Sequence, residues 1–124
     1  MPLVLIVEDN EKNRKLATAV LSAAGFETLE AGTGSEGLAL AAERAPDVIL
    51  MDLRLPDMDG TEAARTLQDD ERTARIPVVA MSALPLEGRD EWLVAAGFAG
   101  SLEKPIRVDT FADEVRRFCV DETA

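Results

Sequence analysis

The chain has 124 residues, 47% of them apolar, enough for one compact domain with its own core. A formal net charge of −11 argues against bare nucleic acid or an anionic membrane surface as the partner. One cysteine, Cys119, excludes a disulfide framework or multi-cysteine zinc site within the chain, and with no histidine most hydrolase triads and histidine metal sites go too. The start, Met1-Pro2-Leu3, lacks the basic region of a signal peptide, and its apolar run is too short to span a membrane. The expectation is a soluble cytoplasmic protein with aliphatic packing, since there are four Phe, one Trp and no Tyr.

In chain order, apolar runs alternate with stretches of helical periodicity. LVLIV (3–7) reads as a buried strand that ends in two adjacent acids, Glu8 and Asp9. Residues 11–24 follow as a helix with Leu16, Val20, Leu21 and Ala24 on one face, stopped by Gly25. FETLE (26–30) is a weaker strand, and 35–44 a helix carrying Leu38, Ala41 and Ala42. VILM (48–51) is a third strand, ending in Asp52; Ala63, Ala64 and Leu67 mark a third helix. VVAM (78–81) ends in Ser82, and 87–96 forms a helix with Trp92, Leu93 and Ala96, stopped by Gly97. FAGSL (98–102) leads to Lys104-Pro105, and Val108, Phe111, Ala112, Val115 and Phe118 stripe the last helix.

Such alternation predicts a parallel sheet covered by helices on both faces. Strands buried on both sides read as continuous apolar runs, as the first, third and fourth do. The second and fifth are interrupted by polar or small residues and belong at the edges. The order 2-1-3-4-5 satisfies this: a flavodoxin-like, doubly wound α/β fold of five strands and five helices.

In such a sheet ligands bind beyond the carboxyl ends of the strands, where the strand order reverses. Four strands deliver Glu8-Asp9, Asp52, Ser82 and Lys104 to that edge. Singly, each has a plain reading: a solvated strand end with Asp9 or Asn10 capping the next helix, a loop acid, a turn serine, a solvated lysine. Jointly they form a set. Three carboxylates brought together must shift their pKa values, spread apart or hold a cation, and oxygen ligands with room for water suit Mg²⁺. A carboxylate nucleophile, a divalent ion, an ammonium and a hydroxyl are coherent equipment for phosphoryl transfer. By contrast, "GTG" at 32–34 lacks the spacing of a dinucleotide-binding loop.

The stretches "LIVEDN", "VILMDLRLPDMDG", "VVAMSA" and "KPI" resemble the signatures of the response-regulator receiver domain of two-component signalling. They stand in the right order and spacing over nearly the whole chain, and the run is most similar to receivers of the single-domain type. The resemblance implies that Asp52 is the phosphoacceptor. It implies that Glu8, Asp9, Asp52 and the backbone carbonyl of Arg54 arrange Mg²⁺, and that Ser82 and Lys104 contact the phosphoryl group. It also implies that Pro56 and Gly60 shape the loop after Asp52, and that the Lys104-Pro105 bond is cis. One position departs from the family: Ser101 stands where a switch aromatic is usual, three residues before the lysine.

The expectation is therefore a single receiver domain over 1–124, with no output domain, that is not a turnover enzyme. A partner histidine kinase or histidine phosphotransfer protein would supply phosphate, because this chain has no histidine donor. A downstream protein would bind the surface of helix 4, strand 5 and helix 5; nucleic acid and membrane are not expected partners. Two rivals stand beside this reading. One is a small Mg²⁺ phosphatase with an aspartyl-phosphate intermediate, weakened because Arg54 occupies the place where the haloacid-dehalogenase class needs a second acid. The other is a receiver-like interaction module that takes no phosphate.

Overall fold

A computed structural model describes residues 2–82, 90–104 and 106–119; within these spans the side chains of residues 82, 90–92 and 103 lie outside the description. The chain runs β1 (Leu3–Val7), α1 (Glu11–Ala23), β2 (Glu27–Ala31), α2 (Gly34–Arg44), β3 (Val48–Asp52), α3 (Gly60–Asp69), β4 (Val78–Ser82), α4 (Asp90–Ala95), β5 (Gly100–Glu103) and α5 (Phe111–Phe118). All neighbouring strands pair in parallel, in the order β2-β1-β3-β4-β5. The doubly wound order read from the sequence is the order of the fold.

Strand periodicity divides the core in two. On β1, Leu5 and Val7 pack with Ile49, Met51, Val78 and Ala80 under Ala41 of α2, Ala63, Ala64 and Leu67 of α3 and Leu93 of α4. Val4 and Ile6 point the other way, joining Val48, Leu50, Val79, Met81 and Leu102 against Ala17 and Leu21 of α1 and Phe111 and Val115 of α5. Leu5, Ile6, Ile49 and Leu50 are wholly buried, each worth about 1.5–3 kcal/mol relative to exposure. β2 is only half-buried, as its mixed sequence predicts for an edge.

The helices begin and end by chemistry legible in the chain. Asn10 caps α1, its side chain accepting the Asn13 amide at 3.0 Å, and Thr33 caps α2 by accepting Glu36 N at 3.1 Å. Gly25 and Gly97 take φ of +95° and +101° just past α1 and α4, the left-handed turn that suits glycine.

Three details differ from the sequence reading. On α1 the buried residues are Ala17 and Leu21, while Leu16 is 41% exposed and Ala24 lies past the helix end. Ala17 and Leu21 stand four residues apart and share the face turned to the sheet, which leaves Leu16 at the rim. On α2 Gly34, Gly37 and Ala41 are buried, and Leu38 packs at the margin. Val108 precedes α5 in a turn and is 62% exposed, so the apolar stripe of that helix starts at Phe111. The expected start of the fourth helix, at 87–89, falls outside the described residues.

Candidate functional site

The registers bring β1 and β3 together at Val7 and Met51, so Glu8 and Asp52 emerge side by side. Parity then sorts the polar residues. Glu8 follows Val4 and Ile6, Asp52 follows Val48 and Leu50, and Lys104 follows Leu102, all on the α1/α5 side of the sheet. Asp9 falls on the opposite parity and is exposed, whereas Glu8 is 1% and Asp52 6% exposed. One carboxylate oxygen from each of Glu8, Asp9 and Asp52 lies within 4.8 Å of the others.

Lys104 Nζ sits between the two buried acids, 2.5 Å from Glu8 Oε1 and 3.0 Å from Asp52 Oδ2. It donates a hydrogen bond to Asp52 Oδ2 and holds Glu8 Oε1 in a close ionic contact. Asp52 Oδ1 accepts from the Arg54 amide at 3.0 Å, and Glu8 Oε2 from the Asn10 amide at 3.3 Å. Both Asp52 oxygens are thus oriented, one by backbone and one by a cation.

The electrostatics separate the two acids. Burial, aided by the hydrogen bond with Asp52, pushes Glu8 up to about 7 against the pull of Lys104. Ile6, Ala17, Met81 and Ile106 wall a small cavity with Glu8 and Lys104, which accounts for the poor solvation of that carboxyl. Burial alone would also raise Asp52, but hydrogen bonds from the Glu8 carboxyl, the Arg54 amide and Lys104 outweigh it and hold Asp52 below its ordinary value. Lys104 is desolvated as well, yet its two carboxylate partners raise its pKa and keep it cationic. At neutral pH the site therefore presents an anionic Asp52 beside an ammonium.

The loop after β3 is closely tied. The backbones of Arg54 and Asp59 pair as an isolated antiparallel bridge, and Gly60 N donates to Leu53 O at 3.0 Å. Asp57 reaches across to α2, accepting the amides of Gly34 and Ser35 at 2.8 and 2.9 Å. These two amides hold the Asp57 carboxyl below its ordinary value. This anchor was not anticipated from the sequence; an acid in a loop gives no sign of which helix start it will reach. Arg14 was also missed. It donates to the Glu8 carbonyl at 2.9 Å and pairs with Glu30 at 3.1 Å.

Of the residues expected at the site, the fold brings together Glu8, Asp9, Asp52 and Lys104, with Arg54 held beside Asp52. Ser82 ends β4 opposite Glu103, while its hydroxyl lies outside the described atoms, as do Pro105 and the peptide expected to be cis. Ser101 pairs with Ala80 and is half-buried.

A parallel 2-1-3-4-5 sheet with an acid triad and a lysine at the strand-order reversal defines a receiver-type signalling domain. The family model for the response regulator receiver domain matches residues 4–116, and the chain belongs to that family. It is 41% identical over 118 residues to the polar-differentiation response regulator DivK of Brucella ovis, covering 95% of this chain and 96% of that protein. Among solved structures, chemotaxis protein CheY4 of Vibrio cholerae superposes with a TM-score of 0.89 at 28% identity, covering 95% and 98% of the two chains. The receiver domain of a sensor histidine kinase from Pseudomonas aeruginosa PAO1, solved with a magnesium ion coordinated in its active-site cleft, gives a TM-score of 0.84 at 32% identity, covering 94% and 96%. The chain is thus a response regulator of two-component signalling, similar to DivK and CheY. No described helix is long and apolar enough to cross a membrane.

Proposed function

We propose that Asp52 is the phosphoacceptor of this regulator, and that phosphorylation there controls binding to a downstream protein. The observation that carries the proposal is the pair of restraints on Asp52: the Arg54 amide on one oxygen and Lys104 on the other, each at 3.0 Å. They hold a buried carboxylate anionic and aimed, as a nucleophile requires. An Asp52 oxygen attacks the phosphorus of a phosphohistidine on a partner kinase or phosphotransfer protein. The P–N bond breaks and the imidazole nitrogen keeps the electron pair. Lys104 then pairs with a phosphoryl oxygen, and the Ser82 hydroxyl donates to another.

Glu8, Asp9, Asp52 and the Arg54 carbonyl are the residues that would hold Mg²⁺. The fit is chemical: the donors are all hard oxygens, and one carboxylate oxygen from each of Glu8, Asp9 and Asp52 lies within 4.8 Å of the others. A bound Mg²⁺ supplies positive charge for the phosphoryl oxygens. The same ion in the Pseudomonas receiver supports this assignment.

The chain acts as a switch rather than a turnover enzyme: the residue two after Asp52 is Arg54, not a second acid, and it offers no general acid there. Output runs through protein binding at α4, β5 and α5. Ser101 cannot fill the space of an aromatic ring, so the response rests more on Ser82 and the segment that follows it. The test is phosphorylation with acetyl phosphate or a purified kinase, followed by mass mapping, for wild type and Asp52→Asn. One phosphoryl group on the peptide containing Asp52, absent in the variant, is expected. Undiminished incorporation in Asp52→Asn rejects the assignment.

A further inference from the structure

The acid pair follows the last residue of β1, and both carboxylates belong to one site. The Glu8 amide is fixed by Ala31 O of β2 at 3.0 Å. Its carbonyl is fixed by a side chain: Arg14 Nη1 donates to it at 2.9 Å. Arg14 stands one turn into α1, and its side chain is only 19% exposed. Its Nε is engaged at the same time by Glu30 on β2, at 3.1 Å. The guanidinium therefore spans three elements, and its planar fork can make both contacts without strain.

The carbonyl it grips belongs to the rigid peptide joining Glu8 to Asp9. Turning that peptide would swing the two side chains relative to each other, since one lies buried beside Lys104 and the other faces solvent. We propose that Arg14 is a positioning residue for the metal site, holding the Glu8–Asp9 peptide so that both carboxylates are presented as a preformed pair. This rests on the Mg²⁺ reading given above. Arg14 touches neither Asp52 nor any carboxylate of the triad; it acts through the backbone. Glu30 orients the guanidinium and offsets its charge, so a cation close to a cation site does not repel the ion.

Position and charge make opposite forecasts, which makes the idea testable. If Arg14 acted only as a nearby positive charge, Arg14→Met would tighten Mg²⁺ binding and Arg14→Lys would leave it alone. As a positioning residue, its loss weakens binding about tenfold in Arg14→Met, the usual scale for an outer partner of a metal ligand. Arg14→Lys keeps the stem and the charge but cannot reach Glu30 and the carbonyl with one fork, so it weakens binding too. The measurement is a Mg²⁺ titration of each full chain followed by amide NMR shifts at residues 8, 9 and 52, with thermal unfolding in EDTA recorded separately. In EDTA the Asp9 amide should also move in both variants. Should Arg14→Met not fold, Arg14→Lys alone decides, because its charge is unchanged. A Mg²⁺ Kd equal to or tighter than wild type in the folded variants overturns the proposal. Absence of Mg²⁺-dependent shifts at residues 8, 9 and 52 in wild type instead overturns the metal reading, and this inference falls with it.

Discussion

Replacing Gly60 by alanine should damage the site from behind. Gly60 opens α3 and is buried directly under the end of β3. A Cβ there would lie 2.5 Å from the Asp52 carbonyl oxygen, 2.9 Å from Leu53 Cα and 3.2 Å from the Asp52 carbonyl carbon. All three atoms are backbone, so no side chain can rotate away. A comfortable carbon–oxygen contact is about 3.3 Å, so the helix start or the Asp52 peptide must move by roughly 0.8 Å. Overpacking of this kind costs about 1–3 kcal/mol, and the lower backbone entropy of alanine in the unfolded chain returns about 0.4–1 kcal/mol. A net loss of roughly 1–2 kcal/mol corresponds to a Tm lower by about 4–8 °C. The functional loss should be larger, because a displacement near 1 Å at a reacting group can cost up to about 100-fold in rate. Thermal unfolding and the initial rate of acetyl phosphate labelling, both on Gly60→Ala, separate the two effects. The variant should be fully folded at 25 °C yet labelled at least about tenfold more slowly. Wild-type Tm together with wild-type labelling would refute the reasoning.

Further predictions follow from the charges. Glu8 titrates near 7 without metal, so Mg²⁺ must displace a proton from it as pH falls; the apparent Kd should weaken below pH 7, and a value constant from pH 6 to 8 would contradict this. In EDTA, the raised Glu8 contributes stability that is complete below 4.5 and lost as pH rises through about 7. The lowered Asp52 works the other way, being favourable above 3.8 and lost as pH falls, so these two groups together should give metal-free stability a maximum near pH 4, with a decline toward acid and another as pH rises to about 7. Lys104→Ala removes the ammonium that separates Glu8 from Asp52; it should tighten Mg²⁺ binding, lower metal-free stability, still accept some phosphate and fail to enhance partner binding on phosphorylation, as titration, unfolding and pull-down would show. Asp57→Asn weakens the tie to α2 and should lower the urea midpoint at pH 7; because the Asp57 pKa is lowered, the difference from wild type should shrink as pH drops below 3.8. A difference that grows in acid would rule out the anchor.

Much of this molecule could be read along the chain. Continuous apolar runs in the first, third and fourth strands reflect burial on both faces, which is a property of each strand and needs no knowledge of its neighbours. Helix stops at Gly25 and Gly97 are equally local, because a left-handed turn is a requirement on one residue. Placing Asp52, Glu8-Asp9 and Lys104 at one sheet edge followed from strand order alone, since each ends or follows a parallel strand. Helix faces were harder: the buried face of α1 centres on Ala17 and Leu21 and leaves Leu16 41% exposed, because an apolar stripe with several candidate residues does not by itself fix the angle at which the helix meets the sheet.

What only the tertiary structure decided is which of these groups touch, and in what charge state. The register of β1 on β3 buries Glu8 and leaves Asp9 in solvent, although the two are adjacent in sequence and similar in chemistry. That burial raises the pKa of Glu8, and no composition or spacing contains it. The ties of Arg14 to Glu8 and Glu30, and of Asp57 to Gly34 and Ser35, cross from one element to another over 6 to 23 residues of chain. A sequence fixes that an arginine or an aspartate is available; only the packed chain sets the distance and direction on which a hydrogen bond depends.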